Sequence, residues 1–138
     1  MINRLQKSMD EKDKGFTLVE LLVVIVIIGI LAGIAIPLFL NQRQKGVEAG
    51  IKSDLKAAAT VQETYFVDKG EYAANITALE GAGFKATEKN KITVALAGGG
   101  DGFCIAGAND GADKSWHYNS LTGGLAEGAC AAAPDPAP

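Results

Sequence analysis

A single carboxylate interrupts the most apolar part of this sequence. Glu20 is the only charged residue in the stretch 16–40. A carboxylate among apolar side chains is costly unless it finds a cation or a hydrogen-bond donor, so Glu20 reads as a pairing residue. The plainer alternative is that it sits within one turn of the headgroups and stays hydrated. Two cysteines, Cys104 and Cys130, are the other reactive groups. Their spacing matches no zinc motif. In an exported domain an even pair suggests a disulfide; in a cytosolic protein the two would be free buried thiols. His117 is the only histidine and stands beside Trp116, with no nucleophile or metal cluster around it. It is expected to be a surface or half-buried strand residue. The run Asn109-Asp110-Gly111-Ala112-Asp113 offers oxygen ligands but lacks EF-hand spacing and a bidentate Glu, so a plain turn is expected. The glycine-rich stretch 98–102 has no following Lys-Ser/Thr and is no phosphate loop. No catalytic residue, metal site or cofactor is expected. Without a nucleophile–base, metal or carboxylate-pair arrangement, a secreted enzyme is the weakest functional reading.

These residues sit on a chain of 138 residues that divides into unlike parts. Residues 1–15 are short and polar, with Arg4, Lys7, Lys12 and Lys14 against Asp10, Glu11 and Asp13. They read as a leader and not as a folded element. Residues 16–40 form an apolar run of about 37 Å as a helix, enough to span a bilayer core. Residues 41–69 continue as an amphipathic helix. Val47, Ile51, Leu55, Ala58, Val61 and Tyr65 recur every three or four residues, while Lys45, Glu48, Lys52, Lys56 and Glu63 take the other face. Gly70 after Lys69 is a helix stop. The joined helix is expected from Phe16 to about Asp68, roughly 80 Å long. Its first half must therefore find lipid or other subunits.

Residues 70–130 read as a small globular domain. Asn75 or Thr77 can cap a short helical turn that ends at Gly81. Three strands are expected: one with Ile92, Val94 and Leu96 on one face, one around Phe103-Cys104-Ile105, and one with Trp116 and Tyr118 on one face. Asn109-Asp110-Gly111 signals a hairpin between the last two. The expected fold class is α+β: a long N-terminal spine helix packed against a small antiparallel C-terminal sheet. Residues 131–138 are Ala-, Pro- and Asp-containing and are expected to be disordered. Net charge is −3, and with no cluster of Lys and Arg the composition does not favour nucleic acid as a partner. Arg43, Lys45, Lys52 and Lys56 read as a solvated face or a headgroup contact.

The segment Lys14-Gly15-Phe16-Thr17-Leu18-Val19-Glu20, with the apolar continuation through Gly29 to Pro37, resembles the processing site and helix of type IV prepilins. The close resemblance covers about residues 14–50. It implies that a membrane prepilin peptidase cuts between Gly15 and Phe16 and that Phe16 is then N-methylated. Physics fits that spacing: glycine lets the backbone enter a protease groove, and the cut leaves an ammonium four residues before Glu20. The ammonium of one subunit can pair with Glu20 of another staggered by about one turn, and methylation keeps the charge. Gly29 and Gly33 form a GxxxG step that allows close helix approach in an apolar setting. Pro37 removes a backbone donor and is tolerated as a kink. By resemblance, residues 29–37 would be the stretch that loses helicity in the filament, and a Cys104–Cys130 bond would pin the third strand and residues 121–127.

The resemblance therefore implies a structural pilin: a single-pass precursor in the cytoplasmic membrane with its N-terminus cytoplasmic, then a subunit of an extracellular pilus. Its implied partners are identical subunits, the prepilin peptidase, an inner-membrane assembly platform, an assembly ATPase, and the membrane before assembly. A pseudopilin of a type II secretion or competence system is the alternative within the family. A single-pass anchored binding module that keeps its whole N-terminus is the alternative outside it.

Overall fold

The computed structural model describes residues 15–131. The rest of the expected leader and the tail beyond Ala131 lie outside the described residues. Helix α1 (Leu18–Lys69) runs 52 residues without a break, with Pro37 inside it. It starts two residues later than the spacing predicts because Thr17 caps it. It stops as predicted: Gly70 adopts φ 77° and its N–H bonds the Phe66 carbonyl at 2.8 Å, a left-handed closure that suits glycine.

The chain divides at Leu40 and Asn41 into two units. In the first, the apolar side chains of α1 are exposed along its whole length. In the second, the predicted stripe turns inward: Ile51, Leu55 and Ala58 are buried, with Val61 and Tyr65 partly so, and Ala59, outside that stripe, is buried beside them. Each fully buried Ile or Leu contributes roughly 1.5–3 kcal/mol. Helix α2 (Ile76–Gly81) is capped by Asn75, whose Oδ1 accepts from the Ala78 N–H at 2.9 Å. It delivers Leu79, and just beyond it Phe84, to the core.

Four strands follow, one more than the sequence suggests: β1 (Lys91–Ala97), β2 (Gly102–Ala108), β3 (Trp116–Asn119) and β4 (Gly124–Glu127). They form an antiparallel meander in chain order. The architecture is α+β, a long helix against an antiparallel sheet. Ile105 lies opposite Val94 and Tyr118, and Gly107 lies opposite Ile92 and Trp116. This parity aims Ile92, Val94, Phe103, Ile105, Trp116 and Tyr118 at the helix. Leu96 shares the parity but lies near the end of its strand, and it remains 41% exposed. The β2–β3 connection is longer than a two-residue hairpin. The Asn109 side chain folds it by accepting from the Gly111 N–H at 2.9 Å.

Two buried polar side chains tie loops to α1, and neither is foreseen from the sequence. Gln62 donates to the Ala73 carbonyl at 2.9 Å and accepts from the Ala73 N–H at 2.8 Å. Asp54 accepts from the Thr87 N–H at 2.8 Å, the Thr87 hydroxyl at 2.9 Å and the Asn90 amide at 2.8 Å. Buried polar atoms left unpaired would each cost about 1–3 kcal/mol, so these bonds are what make burial tolerable. A row of rings, Phe66 on Tyr72 at 4.6 Å, Tyr72 on Phe103 at 5.0 Å and Phe103 on Tyr118 at 5.9 Å, links helix end to sheet.

Candidate functional site

The start of α1 holds the group of residues singled out by the sequence. Gly15, Phe16 and Thr17 are not helical. The helix begins at Leu18 because Thr17 and Glu20 cap each other. The Thr17 N–H donates to Glu20 Oε2 at 2.9 Å, and the Thr17 hydroxyl donates to the same oxygen at 3.1 Å. The Glu20 N–H approaches Thr17 Oγ1 at 3.2 Å in return. This is the reciprocal Thr-x-x-Glu capping box, with the carboxylate at the positive end of the helix dipole. Sequence reasoning assigned no role to Thr17, although its spacing to Glu20 carries that signal.

Phe16 is 89% exposed and a Cβ added at Gly15 would meet nothing within 4 Å. The junction between them is therefore open on the described chain. Phe16, Val19, Glu20, Leu21, Val23 and Val24 line one shallow hollow. The junction and the carboxylate thus share one patch, and Leu22 and Ile25 continue an apolar surface beyond it.

Gly29 and Gly33 also have open space at the Cβ position, so another backbone can come close at both. The helix continues through Pro37. The helix is long and apolar enough to cross a membrane, and its apolar window is not buried within the chain.

Cys104 and Cys130 are joined, with Cα atoms 6.0 Å apart. Cys104 alternates with Phe103 and Ile105 along β2 and so lies on the sheet face away from the helix. The bond fastens the end of the described chain across that face. Closing a loop of this size stabilises by roughly 3–4 kcal/mol in the chain-entropy account.

The other candidates lie apart. His117 is half-buried in β3 with Nδ1 3.0 Å from the Gly128 carbonyl oxygen. In the 109–113 loop, Asp110 pairs with Lys91 at 3.1 Å and Asn109 donates to Asn90 at 2.6 Å. No group of three or more metal-ligating side chains occurs among the described residues. What the N-terminal patch offers is a recognition chemistry: an accessible Gly–Phe peptide bond, one carboxylate already oriented by Thr17, and an apolar helix surface.

Comparison with known proteins agrees with this arrangement. Residues 11–36 match the family described as "Prokaryotic N-terminal methylation motif". The chain is 36% identical over 98 residues to the type IV wide pilus major component PilA4 of Thermus thermophilus, covering 71% of this chain and 75% of that protein. It is 44% identical over 62 residues to the type IV major pilin protein PilA of Myxococcus xanthus, covering 45% of this chain and 28% of that one. It is also 36% identical over 70 residues to the type II secretion system core protein G of Escherichia coli, covering 51% and 48%. A long capped helix with an apolar first half, a small antiparallel sheet in the second unit, and 36% identity over an alignment spanning three quarters of a pilus component place this chain in the type IV pilin family.

Proposed function

We propose that this chain is the structural subunit of a type IV pilus filament and not an enzyme. It enters the cytoplasmic membrane through residues 16–40 with its N-terminus cytoplasmic. A prepilin peptidase cuts between Gly15 and Phe16 and methylates the Phe16 amine. An assembly platform and its ATPase then move the subunit into an extracellular filament of identical copies. Glu20 accepts the Phe16 ammonium of a neighbouring copy, Gly29 and Gly33 let helices approach closely, and residues 29–37 give the helix its extensible stretch. The observation that carries this reading is the lone carboxylate, just past an open Gly–Phe junction, in the otherwise uncharged and exposed stretch 16–40. Such a surface is stable only against lipid or other helices.

The intact mass of protein sheared from cells, taken without reductant, tests it. A chain beginning at N-methyl-Phe16 with the Cys104–Cys130 bond closed is expected. A chain still beginning at Met1 and confined to membranes would overturn the reading in favour of an anchored module that tolerates Glu20→Ala.

The likeness to the type II secretion core protein G favours a second reading, a pseudopilin. The pilus reading is preferred because the relative matched over most of its length is a pilus component. Filaments seen on cells at native expression support the pilus. A secretion defect on deletion, without surface filaments, supports the pseudopilin.

A further inference from the structure

The two outer edges of the sheet are unlike. Strand β4, at one edge, is four residues long, begins at Gly124 with φ 116° and ends at Glu127, which pairs with Lys114 at 2.9 Å. A short strand with an anchored charge is a poor template for another chain. Strand β1, at the other edge, has seven residues, Lys91-Ile92-Thr93-Val94-Ala95-Leu96-Ala97. Its one charge is at the first position, where Lys91 is held by Asp110 at 3.1 Å. It contains no proline or glycine, and its pairing with β2 runs without a bulge. Thr93, Ala95 and Leu96 are exposed. Among the described residues, no backbone hydrogen bond from outside the sheet reaches β1. Its outer side is therefore a row of unpaired N–H and C=O groups with nothing to blunt it.

The pattern of β1 is symmetric about Val94. A second β1 laid antiparallel to the first, with Val94 opposite Val94, sets Ile92 beside Leu96, Thr93 beside Ala95 and Lys91 beside Ala97. Alternation then keeps the helix-facing side chains of both copies on one face, whereas a slip of one residue would put them on opposite faces. Leu96, left 41% exposed, gains Ile92 of the other copy as a neighbour. The charges at the strand ends agree with this register. Asp101, just past one end, is exposed and belongs to no ion pair among the described residues. At the other end Lys85, Lys89 and Lys91 stand against Glu88 and Asp110, an excess of one cation. Antiparallel pairing brings each basic end beside the Asp101 end of the other copy.

We propose that β1 is a docking edge for the β1 of a second copy, which joins the two sheets into one. Backbone hydrogen bonds would supply the affinity and the matched side chains the register. The same strand serves on both sides, so the contact is isologous and closes at two copies. Its two-fold axis passes beside Val94, perpendicular to the sheet, and reverses the part of α1 that lies against each sheet. Copies that follow one another in a filament point the same way, so this contact joins copies of two filaments lying in opposite directions. That last step, and no other, rests on the reading of the chain as a filament subunit.

Sedimentation of the full chain in detergent micelles tests the contact, and low-speed pelleting of sheared filaments tests its consequence. Thr93→Lys with Ala95→Lys opposes like charges twice across the pair and should raise the dimer Kd roughly tenfold. Thr93→Lys with Ala95→Glu opposes unlike charges at the same places and should stay within about threefold of the parent. Both positions are exposed, so the melt of the monomer should be the same in all three proteins. In the parent, amide exchange should slow in β1 and not in β4 as concentration rises from about 1 to 100 µM. Sheared filaments of the parent and of the second variant should pellet as bundles, and those of the first should stay dispersed. Equal dimerisation of the two variants would overturn the proposal. So would slowing in β4 as well, which would assign the contact to β1 against β4. A parent that is monomeric at about 100 µM would overturn it too, and would leave the edge to a strand of another protein. Absence of cleavage at Phe16, with the dimer intact, would fail the filament reading and not this contact.

Discussion

Gly107 of β2 stands directly under Ile51 of α1. A Cβ placed on Gly107 would lie 2.7 Å from Ile51 Cγ2 and 3.1 Å from Ile92 Cδ1. Both neighbours are core side chains, and Ile51 is fully buried. The missing side chain is what lets the helix lie close to the sheet at this point.

Gly107→Ala should therefore overpack the core. A loss of about 1–3 kcal/mol in unfolding free energy is expected. Combining it with Ile92→Val, which removes the Cδ1 methyl that the added Cβ would meet at 3.1 Å, should recover part of the loss. Denaturant unfolding of the disulfide-closed protein measures both. An unchanged midpoint for Gly107→Ala would mean that helix and sheet separate more easily than this packing implies.

Thr17→Ala removes one half of the capping box. Loss of an N-cap of this type costs about 0.5–2 kcal/mol, felt within the first turn. Amide exchange of Leu18, Val19 and Glu20 in micelles should accelerate, while Thr17→Ser should stay near the parent. Equal exchange in all three proteins would remove Thr17 as the residue that orients Glu20.

Two groups hold their protons more tightly in the folded unit than is usual for their type. The hydrogen bond and charge of Glu127 hold Lys114 above the usual lysine value of 10.5. Burial first, and then the charge and hydrogen bond of Glu63, hold Tyr72 above the usual tyrosine value of 10.0. A raised folded value means that the folded state keeps the proton longer. The associated stability is present below the ordinary values and is lost as pH rises through the folded ones. Melting temperature should fall beyond about pH 10. Lys114→Met with Tyr72→Phe should make that fall shallower. A fall of the same depth in the double variant would assign the alkaline limit to other groups.

Much of this fold was legible because its signals are local. The three- and four-residue spacing from Val47 to Tyr65 reports helix and buried face together, and Gly70 after Lys69 reports the stop. Alternation exposes the strands around Val94, Ile105 and Tyr118. Strand β4 escaped because Gly124-Leu125-Ala126-Glu127 has no β-branched residue; it is a strand through its pairing with β3. Gln62 falls seven residues after Leu55, so its inward position could have been read, but nothing local reveals that its partner is Ala73. Asp54 is less legible still, since Thr87 and Asn90 lie 33 and 36 residues away. At the N-terminus, Thr17 and Glu20 spell out their own bond. The group proposed to bind Glu20 in the filament belongs to another chain, and no pattern within one copy encodes its distance.

The meander has one more consequence. Each strand pairs with its immediate predecessor in the chain, and the helix that backs the sheet comes first of all. A polypeptide delivered from its N-terminus can therefore settle each strand as soon as it emerges, with no early segment waiting for a distant one. Closure of Cys130, near the end of the described chain, onto Cys104 then acts as a latch on a sheet whose strands can already be in place.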